Sequence, residues 1–363
     1  MTADVQNNLG RRLKQLRKFM AERELTALLV TKPENRRYIS GFTGSFGIIL
    51  VTPDEAYLLT DGRYGTQAQS EAPGWQVLLS ETSSPEALAA ACREQGIQEL
   101  GFEKDDVTYQ QFEQFQEQFS GIRLRPVLGL VEKLRLIKDA DEIVLLQEAG
   151  VITGAAYCYI LGHMHAGQTE LEVASRLEYF MRSRGGGMPA FESIVAAGER
   201  SAMPHGRATD NRLMAGQLVV MDFGASYHGY MSDLTRTVCI GRYDAKQRQV
   251  YDVVLDAQLS ALELIRPGVA ANEVDAAARQ VIARAGYGDY FTHALGHGVG
   301  LNIHEPPRLA PRHEVILRPG MVTSVEPGIY LPGWGGVRIE DTVLVTASGY
   351  EILTPVTKDF TVI

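Results

Sequence analysis

The chain has 363 residues, of which 45% are hydrophobic and 22% charged, with a formal net charge of -9. That length exceeds one ordinary domain, the acidic balance speaks against a nucleic-acid partner, and no apolar run approaches the roughly 20 residues that cross a bilayer. Cys92, Cys158 and Cys239 form neither a CxxC pair nor a disulfide framework, and the polar start at residues 1–8 lacks a signal core, so a cytoplasmic location is expected.

Leu9, Leu13, Leu16 and Met20 recur at helical spacing. Residues 25–30 are a short apolar run suited to a buried strand, and residues 47–51 and 56–59 read as strands around the turn at Pro53-Asp54. Residues 110–119 read as a helix. Residues 126–138 carry few fold signals, so the boundary is placed there, with an α/β N-terminal domain over residues 1–130 and a second domain over residues 131–363. A helix is expected to begin at Asp141 and run toward Leu161.

The second domain contains an internal repeat. Thr169-Glu-Leu-Glu-Val-Ala-Ser-Arg176 resembles Asn272-Glu-Val-Asp-Ala-Ala-Ala-Arg279. Each begins with an N-cap residue type and has an acid three positions later. Leu213-Met-Ala-Gly-Gln-Leu-Val-Val-Met-Asp-Phe-Gly224 resembles Leu317-Arg-Pro-Gly-Met-Val-Thr-Ser-Val-Glu-Pro-Gly328. The offsets are alike and the order is the same, which predicts two duplicated units of helix and hairpin.

Each unit ends in a hairpin that carries two acids. A first hairpin symmetric about Tyr227 and His228 sets Asp222 opposite Asp233. A second, centred on Gly333, sets Glu326 opposite Glu340. Directly opposed like charges are destabilising. Two such pairs at equivalent places call for a compensating positive charge, and two divalent cations bridged by carboxylates provide it. The alternative is four strand-end acids, each paired with an arginine such as Arg236 or Arg338. The apolar flanks of these acids argue against exposure, and buried carboxylates need partners.

His293, His297 and His304 lie in Thr292-His-Ala-Leu-Gly-His-Gly-Val-Gly-Leu-Asn-Ile-His304. Gly296, Gly298 and Gly300 oppose a helix, and there is no HExxH. An extended run is expected, with His293 and His297 on one face and His304 brought in only by a bend. Four carboxylates and one imidazole make an oxygen-rich site without thiolate, which suits Mn or Co, with Zn also allowed. A pair of metals favours hydrolysis.

These residues resemble the ligand set of the pita-bread metallopeptidases, which include methionine aminopeptidases, Xaa-Pro aminopeptidases and Xaa-Pro dipeptidases (prolidases). The matching motifs are Val220-Met-Asp-Phe-Gly224, Ser232-Asp-Leu-Thr-Arg-Thr237, Gly296-His-Gly-Val-Gly300, Val325-Glu-Pro-Gly-Ile-Tyr330 and Val337-Arg-Ile-Glu-Asp341. Thr31-Lys-Pro-Glu-Asn35, Gly41-Phe-Thr-Gly44 and Thr60-Asp-Gly-Arg-Tyr64 resemble the creatinase-type N-terminal domain of the proline-specific branch, and Leu134-Arg-Leu-Ile-Lys-Asp-Ala-Asp-Glu-Ile143 resembles its lead-in to the catalytic domain. The resemblance implies an α/β N-terminal domain followed by an α+β pita-bread domain with an internal pseudo-two-fold repeat. Creatinase itself shares the fold without the metal ligands.

The resemblance also implies roles. Asp222 would bind one of two divalent metals with both oxygens. Asp233 and Glu340 would bridge the metals, and His297 and Glu326 would complete their shells. A water between the metals would be the nucleophile and Glu326 its general base. His205 and His304 would bind substrate and handle protons at the tetrahedral intermediate. His293 would line the proline pocket, and Tyr330 and Arg338 would lie near the metals. In some prolidases an arginine placed like Arg308 receives the substrate's free carboxylate, for which a guanidinium is well shaped. Aminopeptidases can carry it too.

The expected activity is therefore hydrolysis of the Xaa-Pro bond, either in dipeptides or at the N-terminus of longer peptides. A methionine-type aminopeptidase on the same scaffold is the alternative, and a non-catalytic binding protein the more distant one. The resemblance further implies a homodimer acting on proline-containing peptides, with no membrane or nucleic-acid partner.

Overall fold

The computed structural model describes residues 3–81 and 84–363. Of the polar start, Met1 and Thr2 lie outside the described residues. By internal contacts the chain divides into Met1–Arg135 and Leu136–Ile363.

The first unit is built on a six-stranded mixed sheet. Its order is Gln76–Leu79, Ala56–Thr60, Ile48–Val51, Leu28–Val30, Glu99–Glu103, Arg123–Val127. The three strands Leu28–Val30, Ile48–Val51 and Ala56–Thr60 pair antiparallel, and the remaining neighbours pair parallel. Helix Ala3–Glu22 buries Leu16 and Met20 and half-buries Leu9 and Leu13, as their spacing predicts. Helix Tyr109–Gln118 starts in a capping box between Thr108 and Gln111.

The stretch 126–138, expected to hold little structure, contains the end of strand Arg123–Val127 and helix Leu130–Arg135. The helix belongs to the first unit because Arg135 Nη1 donates to Asn35 Oδ1 at 2.7 Å and Asn35 Nδ2 donates to Glu132 Oε1 at 2.8 Å. These long-range polar contacts leave no periodic trace in sequence. They set the division at Arg135, later than residue 130.

The second unit repeats one arrangement twice. Helices Ala140–Leu161 and Glu170–Ser183 precede Ile194–Ala197 and the hairpin of Leu218–Phe223 with Leu234–Cys239. Helices Ala245–Leu262 and Ala271–Arg284 precede Gly296–Gly298 and the hairpin of Val322–Val325 with Asp341–Val345. This is the pita-bread fold with its internal repeat.

The two units differ at their helix starts. Thr169 caps its helix in a box with Glu172, whereas the counterpart begins after Ala270, without a side-chain cap, so Asn272 lies inside the helix instead of capping it. Helix Ala140–Leu161 is long and apolar enough to cross a membrane by length and composition, contrary to the expectation that no run approaches this. It is a core helix here: Leu146, Ile152, Ala156, Tyr157 and Ile160 are buried. Ile152, Ala156, Tyr157 and Ile160 share one apolar cluster with Val173, Leu177 and the strand residues Val219 and Met221.

Candidate metal centre

The hairpins decide where the acids meet. In the first, Leu234 pairs with Phe223 and Thr235 with Asp222, and the turn is His228-Gly229, where both residues have positive φ, 43° and 77°. Two positive φ values make the primed turn that suits a two-residue hairpin. The centre thus lies one residue beyond Tyr227-His228, and Asp222 faces Thr235, not Asp233 as expected. Asp233 lies diagonally across, beside the constriction at Gly224, where a Cβ would stand 1.7 Å from the carbonyl oxygen of Ser232. The second hairpin keeps the expected register. Val325 pairs with Asp341 and Gly328 with Arg338, so Glu326 and Glu340 occupy opposed positions between two paired stretches, about the turn at Gly333.

Hydrogen bonds join the repeats. Thr235 Oγ1 donates to Glu340 Oε2 at 2.7 Å, and the Glu340 amide donates to Thr235 O at 3.1 Å. The Glu326 amide donates to Leu295 O at 2.8 Å, which sets Glu326 beside the histidine run. Ser324 Oγ accepts from the His297 amide at 3.1 Å and donates to Glu326 Oε1 at 3.0 Å, so one hydroxyl orients two expected ligands.

Ligand atoms of Asp233, His297 and Glu340 all lie within 4.8 Å of one another. His297 Nε2 is 3.2 Å from Glu326 Oε1 and 3.5 Å from Asp233 Oδ2. Asp222 Oδ2 accepts from Arg338 Nη2 at 2.6 Å. Arg236, the other arginine considered for pairing, instead meets Asp341 at 2.7 Å. Among the described residues, no lysine or arginine forms an ion pair with Asp233, Glu326 or Glu340.

Three buried carboxylate oxygens, Asp222 Oδ1, Asp233 Oδ1 and Glu340 Oε1, have no hydrogen-bond partner. Leaving such atoms unsatisfied in a buried site is costly. Burial, joined by the charges of neighbouring acids, pushes Asp233 and Glu340 well above the usual carboxylate range, and burial raises Asp222 as well. For Glu326 burial again opposes charge. The hydrogen bond and charge of His297 outweigh it, and the carboxyl is held at about 2. These orphaned, hard oxygen donors around one imidazole fit divalent cations.

Behind the acids runs a line of hydrogen bonds. Arg338 Nη1 donates to Tyr330 Oη at 2.9 Å, and Tyr330 Oη lies 2.8 Å from His293 Nε2. Ala294 O can only accept from His293 Nδ1, which leaves Nε2 to accept from the Tyr330 phenol, itself lifted by burial to about 12. The His293 proton then sits on Nδ1, 2.8 Å from Ala294 O, and burial lowers the tendency of this ring to charge.

The acids open into a cavity of about 920 Å³ lined by His205, His293, His297, His304, Arg308 and Arg338, among others. His304 returns through bends after Gly298, and its ring lies 4.2 Å from that of His297. Arg308 pairs in register with His297 on the neighbouring strand. His205 and Arg308 are exposed at the cavity wall, whereas Tyr330 is buried and not part of the lining.

Sequence reasoning missed Thr235 and Ser324, although Ser324 shares strand parity with Glu326. It also missed Asp275 and Arg279. Asp275 accepts from the Leu295 amide at 3.1 Å and Arg279 donates to His293 O at 3.0 Å, so together they hold the start of the histidine run. The two form an i, i+4 acid–arginine pair within the repeated helix, but nothing local shows that they reach the histidine run.

Known proteins resemble this chain over nearly its whole length. The pattern of Metallopeptidase family M24 matches residues 144–347, and that of the Creatinase/Prolidase N-terminal domain matches residues 12–137. An Xaa-Pro dipeptidase of Pyrococcus furiosus is 40% identical over 96% of this chain and 99% of its own. The structure of an Xaa-Pro dipeptidase from Bacillus anthracis is 42% identical, with a TM-score of 0.96 over 98% of this chain and 100% of its own. The structure of an X-Pro aminopeptidase from Thermotoga maritima is 37% identical, with a TM-score of 0.87 over 94% of this chain and 99% of its own.

Proposed function

This chain belongs to metallopeptidase family M24 and is a metal-dependent Xaa-Pro peptidase, and from that premise we propose that it acts as a dipeptidase, releasing Xaa and free proline. The observation that carries the finer reading is Arg308. Its exposed guanidinium lines the cavity, its strand position is paired with His297, and among the described residues no carboxylate forms an ion pair with it. A guanidinium in that place matches the free carboxylate that only the C-terminal proline of a dipeptide presents so close to the scissile bond.

Asp222, Asp233, His297, Glu326 and Glu340 would hold two divalent ions, and manganese is the proposed species because carboxylate oxygens outnumber the single imidazole. Bound there, the ions supply Lewis acidity and make water acidic enough to act near neutral pH. Glu326 is charged at neutral pH and accepts the proton of the attacking water. As the water oxygen bonds to the carbonyl carbon, His205 and His304 stabilise the developing oxyanion from the cavity wall. The C–N bond then breaks, and the proton passes to the prolyl nitrogen. Neutral His293, fixed by Tyr330, lines the pocket that receives the proline ring.

We further propose a homodimer, checked by light scattering, and a reducing compartment, supported by three scattered free thiols.

The decisive experiment compares hydrolysis of Ala-Pro and Ala-Pro-Ala by metal-stripped protein resupplied with Mn, Co or Zn. Preferential cleavage of Ala-Pro is expected. Cleavage of Ala-Pro-Ala with little action on Ala-Pro would make the protein an aminopeptidase instead.

A further inference from the structure

Glu170 opens helix Glu170–Ser183 and is fully buried. The helix does not need it there, because Thr169 and Glu172 already form the capping box. The Glu170 carboxylate instead turns toward a segment that carries His205. Oε1 accepts from the Ala197 amide at 2.9 Å, from Arg200 Nε at 3.2 Å and from Asn211 Nδ2 at 2.9 Å. Oε2 accepts from Arg200 Nε at 3.1 Å, the Thr209 amide at 3.0 Å and Thr209 Oγ1 at 2.8 Å.

The donors fall on both sides of His205: Ala197 and Arg200 precede it, while Thr209 and Asn211 follow it. Two backbone bonds reinforce the clamp, from the Glu170 amide to Asn211 O and from the Leu171 amide to Thr209 O, each 3.0 Å. Arg200 Nη2 closes the loop on itself through Arg207 O at 2.7 Å. At the loop's tip Pro204 O accepts from Arg338 Nη1 at 3.1 Å. His205 is thus strung between a buried carboxylate at its base and the arginine that holds Asp222.

We propose that Glu170 is a positioning residue for the Xaa-Pro peptidase reaction, acting through His205. The proposal rests on the role given to His205 above. Glu170 touches neither the cavity nor any of the five expected metal ligands. Its carboxylate can be exchanged for an amide of the same size, which places an NH2 group against donors and loosens the clamp.

The test is a double-mutant cycle of Glu170→Gln with His205→Ala, measured on Ala-Pro with the manganese-loaded protein, beside manganese affinity by calorimetry. E170Q alone is expected to lower kcat/KM on the order of 10- to 100-fold, mostly in kcat, because small displacements of a reacting group have effects of that size. Manganese affinity is expected to stay within about twofold. In the H205A background, E170Q is expected to lose little more. Asn211→Ala, which removes one donor, is expected to show a smaller loss with the same non-additivity, and it decides the matter if E170Q does not fold. Equal losses from E170Q in both backgrounds, or a parallel fall in manganese affinity, would overturn the proposal. Impaired H205A with unimpaired E170Q would overturn it alone. Unimpaired H205A would remove the reading of His205 and the proposal together.

Discussion

Arg338 donates to Asp222 across 2.6 Å with both side chains buried, so the one arginine that, among the described residues, pairs with the carboxylate of an expected metal ligand also touches Tyr330, Thr235 and Pro204. Removing one partner of a buried pair costs about 3–5 kcal/mol, because a charge is left behind. Arg338→Met is expected to lower the Tm of metal-free protein strongly. Divalent cation neutralises Asp222 by another route, so added manganese should recover more stability in the variant than in the parent. Thermal unfolding with and without manganese checks this, and equal recovery in both proteins would count against it.

Metal-free protein should have an unusual pH profile. Asp233 and Glu340 have folded values well above the ordinary range, owing to burial and neighbouring acids. A group raised on folding stabilises the fold below its unfolded value and loses that contribution as pH rises through its folded value. Stability of the metal-free protein should therefore decline upward from about pH 4, where unfolded carboxylates ionise. His297 is also raised: burial opposes its charge, but the hydrogen bond and charge of Glu326 prevail, so it adds a decline beginning near its unfolded value of about 6.5. Glu326, held at about 2, acts in the opposite sense, but its contribution is complete above about pH 5. His293 and His304 are lowered, chiefly by burial, and also oppose the decline near neutrality. Cations replace the bound protons, so the manganese-induced rise in Tm should grow from about pH 5 to about pH 8. A rise that stays constant over that window would refute the argument.

Arg308→Ala separates the two substrate classes. If the guanidinium receives the proline carboxylate, kcat/KM for Ala-Pro should fall on the order of 10- to 100-fold, the worth of a hydrogen bond to a charged group. Ala-Pro-Ala, whose carboxylate lies one residue further on, should change little. An equal fall for both peptides would show that Arg308 does not read the free carboxylate.

Gly224→Ala tests whether the hairpin must narrow beside the acids. Its new methyl would collide with Ser232 O, an atom of backbone that cannot turn aside, next to Asp233. A loss of about 1–3 kcal/mol is expected, with weaker manganese binding as the backbone at Asp233 shifts. Gly10→Ala, in helix Ala3–Glu22 with nothing within 4 Å of the new atom, is the control and should not destabilise. Chemical denaturation of the two variants, beside manganese titration, decides this.

The sequence alone determined the site's chemical character. Four acids at strand ends with apolar flanks, and a histidine among glycines, need a positive charge wherever the chain brings them. Pattern and repeat were local enough to read, including the register about Gly333, because the Gly333 turn is centred where the flanking strands predict. The first hairpin was misread because its turn depends on positive φ at His228 and Gly229, and moving the centre by one residue moves the facing partner of Asp222 by two. Only the tertiary structure decided that Arg338 meets Asp222 while Arg236 meets Asp341. Both arginines lie on strands beside the acids, and sequence spacing carries no information about which buried carboxylate each will reach. The same holds for Ser324, Asp275 and Glu170. Their work is done by hydrogen bonds between separate segments of one repeat, which exist only once that repeat has folded on itself.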